Sequence, residues 1–123
     1  MGTRFYASEE CVAHPNAKQA IVEASELDSR ITGTLHNHEV RILSNKLSEK
    51  YIEDERNGVS EKELINLVTG TSRKAPLDGD VEWGAVQAGQ SLTVIKRIEP
   101  CNVIIKNLIE EAKETLKKAQ NLL

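Results

Sequence analysis

From Ile104 to Ala119 the apolar side chains fall three and four positions apart, at Ile104, Ile105, Leu108, Ala112, Leu116 and Ala119. That spacing lines them along one face of a helix, predicted over about 100–121 and opened by Glu99-Pro100. The opposite face bears Lys106, Glu110, Glu114 and Lys117. Glu110–Glu114 and Lys113–Lys117 are like-charged pairs one turn apart, so ion pairing within the helix adds little. Such a helix is held by what it packs on, and the rest of the chain has to supply an apolar face.

That face has to be built almost without aromatic side chains. Phe5, Tyr6, Tyr51 and Trp83 are the whole aromatic complement, so the core rests on Ile, Leu, Val and Ala. A core of that kind suits helices and leaves a small margin against the entropy of ordering 123 residues. Residues 1–7 read as a strand end running into a loop, without the tail or cap that normally precedes a first strand. His14-Pro15-Asn16 opens a helix over about 15–27, since proline fits the first helical turn, and Ala17, Ala20, Ile21, Ala24 and Leu27 form its stripe. Between Asp28 and Arg41 the period is lost, and a loop with a short strand pair is expected around Gly33. A helix over about 42–57 carries Leu43, Leu47 and Tyr51 and closes at Asn57-Gly58. Ser60 and Glu63 make a capping box for a helix over about 60–69. A turn-rich connector follows through Pro76, Gly79 and Gly84, then a helix over about 85–97 interrupted at Gly89. The pattern alone describes a mostly helical chain with one strand stub.

Acidic and basic residues are interspersed to a net charge of -3, without the basic, aromatic-interleaved face that nucleic acid requires. No apolar run approaches the roughly 20 residues of a membrane span, and no charged-then-apolar leader opens the chain, so the expected address is the cytoplasm. There Cys11 and Cys101, which share no metal-type spacing, are expected to stay reduced.

Several segments, in order, resemble the C-terminal third of the flavin-dependent nitronate monooxygenases and their enoyl-acyl carrier protein reductase II relatives. They are Met1-Gly2-Thr3-Arg4-Phe5, Ser8-Glu9-Glu10, His14-Pro15-Asn16, Val40-Arg41 with Asn45, Arg73-Lys74-Ala75 leading to Gly79-Asp80-Val81, and Ala88-Gly89-Gln90. The resemblance implies the C-terminal part of an FMN-binding (β/α)8 barrel with trailing helices. In such barrels phosphate is often held by the loops after the last strands. By that resemblance Gly2 and Thr3 are candidate FMN-phosphate ligands, glycine allowing close approach and the threonine hydroxyl donating. Gln90 is a candidate flavin-side residue, or else a packing position where its helix crosses the barrel wall. The family's catalytic histidine and its glycine-rich loop are expected before residue 1, so no catalytic residue is assigned here. This segment alone is expected neither to bind FMN tightly nor to turn over substrate.

Other chemistry is weaker. His36 and His38 stand at alternate positions, as a metal pair can, but no further ligands fall at a recognised spacing, and no metal site is assigned. His14 reads as a capping or packing residue. Glu53-Asp54-Glu55 reads as a solvated helix face, and Asp78 with Asp80 lacks the remaining positions of a calcium loop. Two classes of function follow. In the first, the chain is part of an FMN-dependent oxidoreductase that oxidises alkyl nitronates with oxygen or reduces an enoyl thioester with NAD(P)H, meeting its small-molecule substrate through the full-length barrel. In the second, it is a non-catalytic helical remnant whose uncovered stripes drive self-association or docking.

Overall fold

The computed structural model describes residues 1–122. Its elements are α1 (Gly2–Tyr6), α2 (Pro15–Glu23), β1 (Ser29–Thr32), β2 (Val40–Leu43), α3 (Lys46–Arg56), α4 (Glu61–Val68), a single turn α5 (Thr71–Arg73) running into a π-turn (Lys74–Asp78), a 3-10 turn (Gln90–Val94) and α6 (Cys101–Gln120). The chain is mostly helical, with β1 and β2 paired antiparallel from Ser29↔Leu43 to Thr32↔Val40.

Helix starts follow their capping groups. The His14 ring nitrogen Nδ1 accepts from the Asn16 amide at 3.1 Å, with Pro15 in the first turn of α2. Asn45 and Ser48 form a reciprocal capping box on α3, and Ser60 and Glu63 another on α4. Asn45 also spans outward, its amide donating to the Val81 and Gly84 carbonyls at 2.9 Å each. The first residue of α6 is capped from a distance: the Cys101 amide donates to both Glu10 carboxylate oxygens, at 3.0 and 2.8 Å.

The expected strand end at residues 1–7 is instead the helix α1, in which the Phe5 amide donates to the Met1 carbonyl and the Ala7 amide to that of Thr3. Strand-favouring Thr, Phe and Tyr are overruled because no ladder lies beside them among the described residues. Extended pairing begins only at Ser8, in an isolated parallel bridge with Glu99. The helix expected over 85–97 is also absent. Residues 86–88 run extended along β2, with Leu43 N–H donating to Val86 O at 3.0 Å and Ala88 N–H to Arg41 O at 3.3 Å, before the 3-10 turn begins. Helix α2 stops at Glu23 rather than Leu27, because Asp28 accepts from both the amide and the hydroxyl of Ser25 at 2.7 Å and bends the chain into β1. Leu43 belongs to β2, so α3 starts later than periodicity places it.

One cluster of buried residues joins Ala7, Ala17 and Ile21 to Val86, Ala88, Leu92 and Ile95. Small alanines let α2 and the 86–95 segment approach closely around Ile21. A second apolar layer, Ile42, Leu47, Tyr51 and Leu64, lies between the hairpin and α3–α4. The Glu55 carboxylate is no part of a solvated face. It is buried and accepts from the Leu35 amide at 3.2 Å, tying the loop between β1 and β2 to α3. Helix α6 buries only Ile104, and from Leu108 onward its apolar stripe faces outward, with Leu116 64% exposed. No helix among the described residues is long and apolar enough to cross a membrane.

Candidate cofactor-binding site

Gly2 and Thr3 occupy the first two positions of α1, where helical amides have no partner inside the helix. Gly89 precedes the 3-10 turn in extended backbone, and its amide donates to the Thr3 hydroxyl at 3.0 Å across 86 positions of sequence. Two segments picked out separately in the sequence therefore meet at one corner. The Thr3 oxygen accepts from Gly89, and its hydroxyl proton has no acceptor among the described residues. Gln90 is exposed and follows Gly89 directly, with its carbonyl accepting from the Thr93 hydroxyl.

The backbone at this corner is uncovered. A side chain added at Gly2 would meet no heavy atom within 4 Å, and one at Gly89 would only touch the Thr3 hydroxyl, at 3.7 Å. Both glycines thus leave their backbones open to a ligand. These residues fit a phosphate group, with unpaired amides, one hydroxyl proton and no carboxylate among them.

Arg4, to which the sequence reading gives no role, holds the corner in place. Its guanidinium donates to the Ala7 carbonyl at 2.9 Å and the Arg97 carbonyl at 2.8 Å, and lies 3.7 Å from the Glu99 carboxylate. The buried Lys18 ammonium donates to the Ser8 carbonyl at 2.7 Å and the Glu9 carbonyl at 3.2 Å, fixing the exit of α1. The Cys101 amide, and next the amide of Glu10 itself, hold the Glu10 carboxyl below the usual carboxylate range. Arg4 and Glu10 lie in the Arg-Phe and Ser-Glu-Glu segments around α1, whereas nothing in the local pattern marks Lys18.

The remaining candidates lie elsewhere. His14 packs its ring where a Gly79 side chain would stand, and its amide donates to the Pro76 carbonyl at 2.8 Å. His38 pairs with Glu61 at 3.3 Å. No three His, Cys, Asp or Glu side chains converge as a metal site among the described residues. Asp80 accepts from the Glu82 and Trp83 amides at 3.1 and 2.9 Å, a turn role. Cys11 and Cys101 are free and half-buried.

The family model for nitronate monooxygenase matches residues 1–111. The chain belongs to the nitronate monooxygenase family. A probable nitronate monooxygenase of Staphylococcus haemolyticus is 29% identical over 117 residues, a match covering 94% of this chain and 32% of the relative. One of Bacillus subtilis is 26% identical over 111 residues, covering 90% and 32%. The structure of FabK from Thermotoga maritima superposes on all of this chain with a TM-score of 0.93 at 36% identity, using 39% of its own length. The fold is therefore that of part of the FabK barrel. This chain spans about a third of the curated relatives' length.

Proposed function

We propose that this chain forms the phosphate corner, and part of the substrate side, of an FMN-dependent oxidoreductase built on a (β/α)8 barrel. The observation that carries the reading is the hydrogen bond from Gly89 to Thr3, which joins the two family motifs at a corner whose backbone is uncovered. The N-terminus of a short helix is a recurrent part of phosphate sites in barrels, and Gly2 and Thr3 open the short helix α1. Gly2 and Thr3 would hold the phosphate through amides and hydroxyl, Gln90 would border the flavin side, and Arg4 and Lys18 keep the segment rigid. FMN, when bound, supplies the electron transfer; the protein supplies binding and orientation.

For the overall reaction we propose oxidation of alkyl nitronates with oxygen, in line with the family. Reduction of an enoyl thioester is the second reading, and the 36% identity to FabK over the full chain favours it. At about a third of its relatives' length, this chain is proposed to need the rest of the barrel for turnover.

NMR titration with FMN and with riboflavin tests the phosphate corner even at weak affinity. FMN should shift the amides of Gly2, Thr3 and Gly89, and riboflavin should leave them in place. Gly2→Pro removes one amide at the first helical position, where proline is tolerated, so the FMN response should fall while the fold persists. FMN that leaves these three amides unmoved at millimolar concentration refutes the assignment.

A further inference from the structure

A cleft of about 380 Å³ opens between the hairpin and helices α3 and α4. Ile42, Leu47 and Tyr51 line it from the buried side and Val40 and Ile65 from the exposed side, while His36, the His38–Glu61 pair and Gln87 supply polar groups at its rim. Its size falls within the roughly 300–1,000 Å³ of small-molecule sites, and an apolar lining with a few polar groups is their usual chemistry. Burial, and after it the Glu55 and Glu61 carboxylates, push the Tyr51 phenol up, so the cleft presents a neutral hydroxyl side chain.

The position of the cleft selects its occupant. Along residues 86–88, Val86 and Ala88 are buried in the core while the exposed Gln87 lines the cleft. Two residues beyond Gln87 is Gly89, bonded to Thr3 at the phosphate corner. The extended segment thus runs from the cleft to that corner over roughly 7 Å of chain. We propose that the cleft takes the unbranched hydrocarbon tail of the substrate, with Gln87 at the end nearer the cofactor corner. This rests on the flavin reading above. Acyl thioesters and alkyl nitronates share that tail chemistry. The cleft is a half-open groove of small volume, whereas the broad apolar surface suited to a protein partner is the outward stripe of α6.

The test is methyl NMR of the whole chain titrated with two probe series: S-acyl-N-acetylcysteamine thioesters and 1-nitroalkane nitronates, each from four to ten carbons. Methyl groups of Val40, Ile42 and Ile65 should shift saturably. Affinity should rise about fourfold per added methylene, the factor that corresponds to about 0.8 kcal/mol, until the cleft is full. Ile65→Asp alters a side chain that is 50% exposed, so the fold should survive, as unchanged Ile21 and Ile95 methyl shifts would show. In that variant binding should drop by at least tenfold. Response to thioesters alone, nitronates alone or both supports the cleft and tells which head group it accompanies. Affinity independent of chain length, shifts confined to Ile105 and Leu108 of α6, unchanged binding in Ile65→Asp, or no response to either series overturns it. FMN added to the same sample separates the two proposals. Silence at Gly2, Thr3 and Gly89 with Ile65 responding sinks the flavin corner and keeps the tail cleft; the reverse pattern sinks the cleft alone.

Discussion

Replacing Gly84 by alanine should be among the most damaging single-methyl additions this fold can receive. The glycine is buried between the π-turn and the segment leading to residue 86. A β-carbon there would press into the Asp80 carbonyl oxygen and lie 2.5 Å from the Ala75 amide nitrogen and 2.9 Å from Ala75 Cα, where ordinary contact begins near 3.4 Å. All three obstacles are backbone, so relief requires moving the chain by about an ångström, not turning a side chain. That movement would strain three hydrogen bonds: Gly84 N–H to Asp80 O at 3.0 Å, Asn45 Nδ2 to Gly84 O at 2.9 Å, and Ala85 N–H to Thr71 O at 2.9 Å. Overpacking costs about 1–3 kcal/mol, and each hydrogen bond weakened adds up to about 1 kcal/mol. A loss of about 3–4 kcal/mol is therefore expected, read as a fall of about 1.5–2 M in urea midpoint for a slope near 2 kcal/mol/M. Gly58→Ala supplies the scale: its φ of +76° is unfavourable, but nothing lies within 4 Å of the new methyl, so about 1–2 kcal/mol is expected. A Gly84→Ala midpoint equal to or above that of Gly58→Ala would refute the packing argument.

Glu55→Ala should cost about 1–3 kcal/mol by leaving the Leu35 amide without its acceptor, and hydrogen exchange should accelerate in the loop between β1 and β2 while α6 is unaffected. Glu10→Gln should remove a pH dependence. The folded-state carboxyl sits below its unfolded value, so its stabilisation is present above the ordinary carboxylate range and lost as pH falls through the lower folded value. Protection factors at the start of α6 should fall in acid for the wild type and be flat with pH in the variant. The outward stripe of α6 should make the isolated chain self-associate, with sedimentation that depends on concentration. Ile109→Lys with Leu116→Lys should abolish this without lowering thermal stability, since both side chains are exposed.

Sequence reading succeeds in this protein where a side chain itself defines the local geometry. Ser60 with Glu63, and His14 before Pro15, name helix starts because the capping atoms belong to those residues. It fails over 85–97, where the buried residues Val86, Ala88, Leu92 and Ile95 follow a two-residue step and then steps of four and three. That mixed series imitates a helix, and Gly89 marks the switch between extended chain and 3-10 turn. At residues 1–7 intrinsic preference for strand yields to the lack of a neighbouring ladder, which only the tertiary path determines. Gly2, Thr3 and Gln90 enter as candidates only through family resemblance. Their meeting depends on β2 holding residues 86–88 in line, and no local pattern carries that information.

The bridge between Ser8 and Glu99 brings two distant stretches side by side in the same direction, with the Glu9 amide donating to the Glu99 carbonyl at 3.1 Å. Arg4 on one flank and Glu10 on the other staple the same junction. Everything from α2 to the 3-10 turn is therefore an excursion that leaves and rejoins a single doorway. Holding both ends together there closes the loop that contains every element from α2 to the 3-10 turn, so the closure entropy of that long stretch is set at this one junction.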